Sequence, residues 1–168
     1  MQTHYFHHTS IHTLDEACQL LDRLIKFATA SYFLLDSDQR GARLNYDKWS
    51  PREIIGHLTD SARYNLMRFT ETVIHPSPYR SKSYNQVALV KIQDYQGQDD
   101  ASLLQYWQLL NRQILQVIPQ ITAEDLDKSI QIEEEIHTLE YVIFDYIGHL
   151  QFHLEQIFGQ IDESLLSK

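Results

Sequence analysis

The sequence predicts an all-α fold, a four-helix bundle with a longer connection between its second and third helices. Two observations support this prediction. Four long segments repeat apolar residues at spacings of three and four, as amphipathic helices do, and residues 79–98 separate the second segment from the third. A chain of 168 residues is long enough for one domain with a buried core. We expect the bundle to span residues 13–160, with tails at residues 1–12 and 161–168.

The first helix begins at a capping box, in which Thr13 precedes Glu16 by one helical turn. Its apolar stripe continues to about Leu35. Cys18 lies on this stripe and is expected to be a core residue, and as the only cysteine it cannot form an internal disulfide. The polar residues 36–49 are predicted to form a loop.

The second helix has a clear start signal, because Ser50 and Glu53 form a capping box and Pro51 occupies the first helical position. It extends to about Ile74, beyond which nearby prolines lack the amide that a helix needs. Residues 79–98 then contain an apolar piece that fits either a short helix or an ordered loop.

The third helix begins near Asp99 and ends before Pro119, which cannot continue it. Residues 130–136 alternate in polarity and allow a brief extended segment, but a single short strand has no evident partner in this chain. The fourth helix starts near Thr138 and stops at Gly159, since glycine favours the position that follows a helix.

Three histidines stand out in this arrangement. His149 and His153 lie four residues apart on the fourth helix, so both rings can approach one point, and His57 has the matching position on the second helix. A lone histidine beside an apolar stripe is usually a hydrogen-bonded structural residue. Three buried imidazoles without partners would each cost desolvation energy, and convergence on a cation removes that cost. We therefore predict that His57, His149 and His153 bind a metal.

Several polar residues lie close to these histidines on the same helices. Asp60, Asp145 and Gln156 are spaced so that they can orient the imidazole rings by hydrogen bonds, although both acids also fit an ordinary solvated helix face. A polar column that can line a substrate cleft follows His57 on the second helix: Ser61, Tyr64, Asn65 and Arg68. The two tryptophans, Trp49 and Trp107, are expected to be core anchors.

Composition and patterning exclude some partners and predict others. The formal net charge of −9 argues against nucleic-acid binding, and no apolar run approaches the length of a membrane-spanning helix. The first residues lack the basic and apolar regions of a signal peptide, so we expect a cytoplasmic location. A second apolar face on the fourth helix predicts a homodimer, because this face would be exposed to solvent in a monomer. Its residues are Tyr141, Phe144, Gly148 and Phe152.

Two segments resemble the DinB-like superfamily of four-helix bundles. They are WSPREIIGHLTDSA at residues 49–62 and DYIGHLQFHLEQI at residues 145–157, and the resemblance covers roughly residues 12–160. Such proteins are similar in fold to metal-dependent hydrolases and to bacillithiol- and mycothiol-dependent transferases, and they bind zinc or nickel through three histidines. At the matching positions of this chain that triad is His57, His149 and His153.

These observations predict a metal-dependent enzyme that acts on a small-molecule substrate, either as a hydrolase or as an S-transferase that uses a low-molecular-weight thiol. Three histidines leave an open coordination position, at which a bound water or thiol becomes a nucleophile. The sequence marks no general base, because no glutamate lies between His149 and His153 as it does in HExxH. The catalytic residues are therefore unassigned. The alternative is a non-catalytic metal-binding module for interaction or stress response.

Overall fold

The computed structural model describes residues 11–161, so the predicted tails lie almost wholly outside the described residues. Four long helices form the bundle: α1 (Leu14–Ser31), α3 (Pro51–Ile74), α5 (Asp100–Val117) and α7 (Leu139–Phe158). Three short helices lie in the connections: α2 (Ser37–Gly41), α4 (Gln86–Ile92) and α6 (Ala123–Leu126). The predicted four-helix bundle is thus confirmed.

The long helices are not arranged around the bundle in chain order. α3 packs against both α5 and α7, and α1 packs against the same two helices. α1 and α3 therefore occupy opposite corners of the bundle. This arrangement places α3, which carries His57, directly beside α7, which carries His149 and His153.

The predicted start signals are present at the helix ends. Ser50 Oγ accepts a hydrogen bond from the amide of Glu53 at 3.2 Å, and a Glu53 carboxylate oxygen accepts one from the Ser50 amide at 2.9 Å. Thr13 forms the equivalent capping box at α1. α1 ends a little before the predicted Leu35, since a 3₁₀ turn that buries Tyr32 follows it.

A small three-stranded sheet lies beside the bundle, so the expectation that the extended segment has no partner was wrong. β2 (Ser129–Ile132) pairs in antiparallel fashion with β3 (Glu135–Thr138), and β1 (Tyr79–Ser81) pairs in parallel with β2. The hairpin was missed because its turn contains no glycine or asparagine. Glu133 instead adopts a positive φ of 53°.

The connection between α1 and α3 and the connection between α3 and α5 each contain a short helix that sequence periodicity did not reveal. α2 occupies the predicted loop at residues 36–49 and starts at a capping box of Asp36 and Gln39. α4 lies in the ambiguous stretch at residues 79–98, where Asn85 caps it. These helices are too short to show an amphipathic period of their own. None of the helices within residues 11–161 has both the length and the apolar character that crossing a lipid bilayer requires.

The second apolar face of α7 is largely covered within the chain. Phe144 is only 3% exposed, Gly148 is buried, and Tyr141 and Phe152 are half-buried. α7 packs against α1, α3, α6 and β3, so more of its circumference is covered than a simple bundle would cover. The expectation that this apolar face is exposed to solvent was wrong. The homodimer stays a prediction, without that support.

Candidate metal centre

The structure brings together the three histidines that the sequence singled out. His57 is fully buried on α3, while His153 is buried and His149 half-buried on the facing side of α7. Each offers one ring nitrogen, and these three atoms all lie within 4.8 Å of one another. His57 Nε2 and His149 Nε2 are 3.0 Å apart. Metal binding itself remains a prediction.

The three rings pack around a common point with their planes steeply inclined. The centroid of His153 lies 4.7 Å from that of His57 and 4.5 Å from that of His149, with interplanar angles of 71° in both pairs. His57 and His149 are inclined by 74°. At such angles the rings do not stack face to face, and ring nitrogens can approach one another, as His57 Nε2 and His149 Nε2 do.

Hydrogen bonds at Nδ1, the ring nitrogen that points away from the centre, orient two of the rings, His153 and His149. His153 Nδ1 lies 2.9 Å from Gln156 Oε1, and this amide oxygen accepts the Nδ1 proton, which leaves Nε2 with its lone pair. His149 Nδ1 lies 3.4 Å from Ser61 Oγ. His57 Nδ1 is buried and has no hydrogen-bond partner among the described residues. Gln156, one of the predicted orienting residues, therefore acts on His153.

Burial keeps all three imidazoles neutral. It lowers the pKa of His57 to about 3, an effect that the neighbouring His153 reinforces. It lowers the pKa of His153 to about 4, although the hydrogen bond with Gln156 partly offsets the change. The pKa of His149 falls well below its usual value for the same reason. Neutral imidazole is the form that binds metal ions.

These residues fit a divalent cation. The donor set consists of three imidazole nitrogens, a combination that suits zinc, nickel, iron and copper and not the oxygen-seeking magnesium or calcium. Without a cation or a shared proton, two Nε2 lone pairs would face each other at 3.0 Å. A tetrahedral cation with bonds of about 2.0–2.1 Å would use those lone pairs and leave one coordination position open.

Trp49 is partly buried and packs against the hydrophobic core, as expected, and it also packs against the centre. Its ring centroid lies 4.8 Å from that of His57 and 6.4 Å from that of His153. Trp107, in contrast, is a fully buried core residue. The signal for Trp49 was available in the sequence, because it directly precedes the helix cap Ser50, where an apolar side chain commonly packs back on the first turns of the helix.

Asp60 was predicted to orient His57, and the structure contradicts this. Its Oδ1 accepts hydrogen bonds from Arg63 at 2.6 Å and from Gln93 at 3.5 Å, while His57 Nδ1 has no hydrogen-bond partner among the described residues. A shift of three residues turns a side chain by about 60° around the helix. Asp60 therefore faces α4, and its carboxylate belongs to a different polar cluster. Asp145 lines a cavity together with His149.

Two cavities reach the centre from different sides. The first, which we call the His149 cavity, has a volume of about 440 Å³, and the second, the His153 cavity, one of about 1060 Å³. Gln86 and Val87 line both, so the beginning of α4 separates them. Ser61, Asn65 and Arg68 of the predicted polar column line the His149 cavity, whereas Tyr64 stacks on Tyr84 at its edge.

Close packing next to His57 requires a glycine. A Cβ atom at Gly56 would lie 2.2 Å from ring carbons of Tyr95, a distance that real side chains do not reach. The absence of a side chain lets Tyr95 lie directly on the backbone of α3. The ring thereby seals the helix surface one residue from a predicted metal ligand.

A four-helix bundle with three convergent histidines on two adjacent helices defines a class of proteins with a candidate metal centre between helices. The sequence matches the DinB superfamily over residues 13–157, and the chain belongs to this superfamily. Its fold is similar to that of YfiT from Bacillus subtilis, described as a probable metal-dependent hydrolase with an unusual four-helix bundle topology. The TM-score is 0.81 at 21% identity, over 89% of this chain and 87% of that chain. No curated protein sequence matches this chain.

Proposed function

We propose that this protein is a divalent-metal-dependent hydrolase that acts on a small molecule at the centre of His57, His149 and His153. One observation carries the proposal: three neutral imidazoles converge where two cavities reach them. A purely structural metal site is closed by its own protein ligands, whereas a catalytic site keeps a position that substrate can reach. The description of YfiT as a probable metal-dependent hydrolase supports the same reading.

The role of each residue follows from its contacts. A bound cation would act as a Lewis acid that polarises a carbonyl and lowers the pKa of a nucleophile. The hydrogen bond from His153 Nδ1 to Gln156 keeps Nε2 of that ring available, and the Ser61 hydroxyl lies against the outer nitrogen of His149. Trp49 covers one side of His57 and limits the access of water to it. The identity of the metal is proposed as zinc or nickel, in line with the resemblance.

Thiol transfer is a second candidate, because the two cavities leave room for two substrates. His149 lines only the smaller cavity and His153 only the larger one. A low-molecular-weight thiol in one cavity and an electrophile in the other would then meet at the centre. In that reaction the thiolate sulfur forms a bond to the electrophilic carbon, and the leaving group departs with its electron pair.

The proposal is tested with protein purified without an affinity tag. Elemental analysis should find about one equivalent of a transition metal in the wild type and in the control variant His75→Ala, which changes an exposed histidine. His153→Ala should lose most of it. Ester and amide hydrolysis and thiol conjugation to an aryl halide are then measured side by side.

Each result has a distinct meaning. Metal-dependent hydrolysis supports the first candidate, and conjugation without hydrolysis supports the second. Bound metal with no activity in either assay favours the non-catalytic module. Wild-type protein that remains metal-free after incubation with zinc and nickel contradicts both enzymatic candidates.

A further inference from the structure

Arg68 is a half-buried cation in the wall of the His149 cavity. Burial lowers the pKa of its guanidinium below the usual value, but arginine stays protonated at neutral pH. A buried charge is costly unless it is paired. The contacts of Arg68 therefore indicate what the cavity is built to receive.

The hydrogen-bond partners of Arg68 are all neutral. Its Nε donates to Ser81 Oγ at 3.1 Å and its Nη1 donates to Asn65 Oδ1 at 3.3 Å. The guanidinium carbon lies 5.8 Å from the ring centre of Tyr84. Among the described residues these hydrogen bonds use two of the five N–H groups. The others have no hydrogen-bond partner among the described residues, and Arg68 is one of the residues that line the His149 cavity.

Other arginines of the bundle are neutralised by acids. Arg40 and Arg52 both bind Asp100, and Arg63 binds Asp60. Arg68 makes no such ion pair within residues 11–161. Asp145 lines the same cavity, and its charge raises the pKa of the Arg68 guanidinium through space.

A chain of hydrogen bonds runs from Arg68 to the candidate metal centre. Asn65 Nδ2 donates to Ser61, at 3.0 Å to the carbonyl oxygen and 3.3 Å to Oγ, and that hydroxyl lies 3.4 Å from His149 Nδ1. Arg68 follows Ser61 by seven residues, roughly 10 Å along the helix axis, and its side chain leans back towards the start of the helix. Arg68 and His149 thus line one cavity and are linked by these hydrogen bonds.

We infer that Arg68 recognises a carboxylate of the substrate, held a few bonds away from the group that reacts at the histidines. This inference rests on the proposed function, because the carboxylate belongs to a substrate of that centre. A planar guanidinium with open N–H groups matches a carboxylate in a bidentate manner. Asp145 and Glu133 also line the cavity, and their negative charges favour a monoanion over a phosphate dianion.

The inference is tested by binding, without any assay of activity. Hexanoate and its neutral isostere hexanamide are titrated by calorimetry into metal-loaded protein and into protein stripped with a chelator. In the stripped protein no metal is present, so the carboxylate of hexanoate cannot bind to a metal ion there. Arg68→Gln should weaken hexanoate binding about tenfold or more, as expected for the loss of hydrogen bonds to a charged group. Arg112→Gln, at an exposed position on α5, is the matched control.

Hexanoate binding that depends on Arg68, persists in stripped protein and exceeds hexanamide binding supports the inference. Absence of hexanoate binding, equal binding of the two probes, or equal binding by wild type and Arg68→Gln overturns it. Tighter binding of inorganic phosphate than of hexanoate also overturns it. Should Arg68→Gln not fold, Arg68→Lys decides, because lysine keeps the charge and loses the planar donor pair. Wild-type affinity in Arg68→Lys contradicts bidentate recognition.

The two proposals fail separately. Protein that never binds metal but binds hexanoate through Arg68 refutes the enzymatic function and leaves the carboxylate site in place. Protein that binds metal and catalyses hydrolysis, but whose hexanoate binding does not depend on Arg68, supports the enzymatic function and refutes the carboxylate site.

Discussion

His57 Nε2 and His149 Nε2 lie 3.0 Å apart although 92 positions of sequence separate the two residues. The contact exists because α3 and α7 are neighbours in the bundle, and His153 joins it from the next turn of α7.

Chelation should destabilise the wild type and leave His153→Ala unaffected. A ligand that binds only the folded state at 100 times its dissociation constant adds about 2.7 kcal/mol to the free energy of unfolding. We therefore expect a clear fall in the melting temperature of the metal-loaded wild type when EDTA is added. Calorimetric melts with and without EDTA measure this, with His75→Ala as the control. An equal response of His153→Ala and the wild type contradicts the site.

Gln156→Ala should weaken metal binding about 10- to 100-fold, the usual effect of removing a hydrogen bond that orients a ligand. Gln156 Oε1 accepts from His153 Nδ1 at 2.9 Å, so the loss frees the ring to rotate. Gln156→Glu keeps an acceptor and should retain most of the affinity. Competition with a chromogenic chelator measures both variants. Unchanged affinity in Gln156→Ala refutes the orienting role.

Trp49→Ala should lower both stability and metal affinity, because the indole packs 4.8 Å from the centroid of His57. We expect a loss of roughly 1–3 kcal/mol in the free energy of unfolding, less than for a fully buried tryptophan. Trp49→Phe preserves part of the packing, so its stability and metal affinity should lie between those of the wild type and Trp49→Ala. Urea unfolding of metal-free protein separates the packing effect from the metal effect. Wild-type stability and affinity in Trp49→Ala would show that the ring contributes nothing.

Gly56→Ala should be destabilising, whereas Gly41→Ala should not be. A Cβ at Gly56 would lie 2.2 Å from the ring of Tyr95, but at Gly41 its nearest neighbour would be 3.6 Å away. We expect Gly56→Ala to reduce the free energy of unfolding by about 1–3 kcal/mol, while an alanine in the α2 position is neutral or slightly stabilising. Chemical denaturation compares the two. Equal stabilities of the two variants would be inconsistent with the packing described.

The stability of metal-free protein should fall as the pH falls from about 6.5 to about 4. Burial lowers the pKa of His57 to about 3 and that of His153 to about 4, whereas an unfolded histidine titrates near 6.5. In this window the unfolded chain binds protons that the folded chain does not. Each such histidine therefore contributes a slope of about 1.4 kcal/mol per pH unit.

Replacing His57 with glutamine should remove part of that slope. Urea unfolding at pH 4.5, 5.5 and 6.5 measures it in the wild type and the variant. A pH-independent difference between the two would mean that His57 titrates normally in the folded state.

Helix ends could be predicted from the sequence because local interactions decide them. The caps at Thr13 and Ser50 and the stop at Gly159 appear where the sequence placed them, because each depends on neighbouring residues alone. The histidine spacing on α7 likewise follows from helix geometry. The position of His57 beside this pair depends in addition on tertiary packing, because α3 must lie next to α7.

Features that depend on distant contacts could not be predicted. The sheet needs β1 to meet β2 across 50 residues of chain, and no periodicity reports such pairing. Asp60 was assigned to His57 by spacing, but Arg63 and Gln93 bind it instead. Arg68 was expected in a cleft, but only the folded structure shows that it forms no ion pair with an acid of residues 11–161 and that its hydrogen-bond partners there are neutral.

We propose that His57, His149 and His153 together bind one transition metal. Anomalous diffraction from crystals of tag-free protein, collected at the absorption edge of the metal found by elemental analysis, tests it most directly. We predict a single strong peak at about 2.0–2.1 Å from one nitrogen of each of the three rings. A difference map with no peak between these rings, or with the metal held by other residues, would show that the three histidines do not bind the metal.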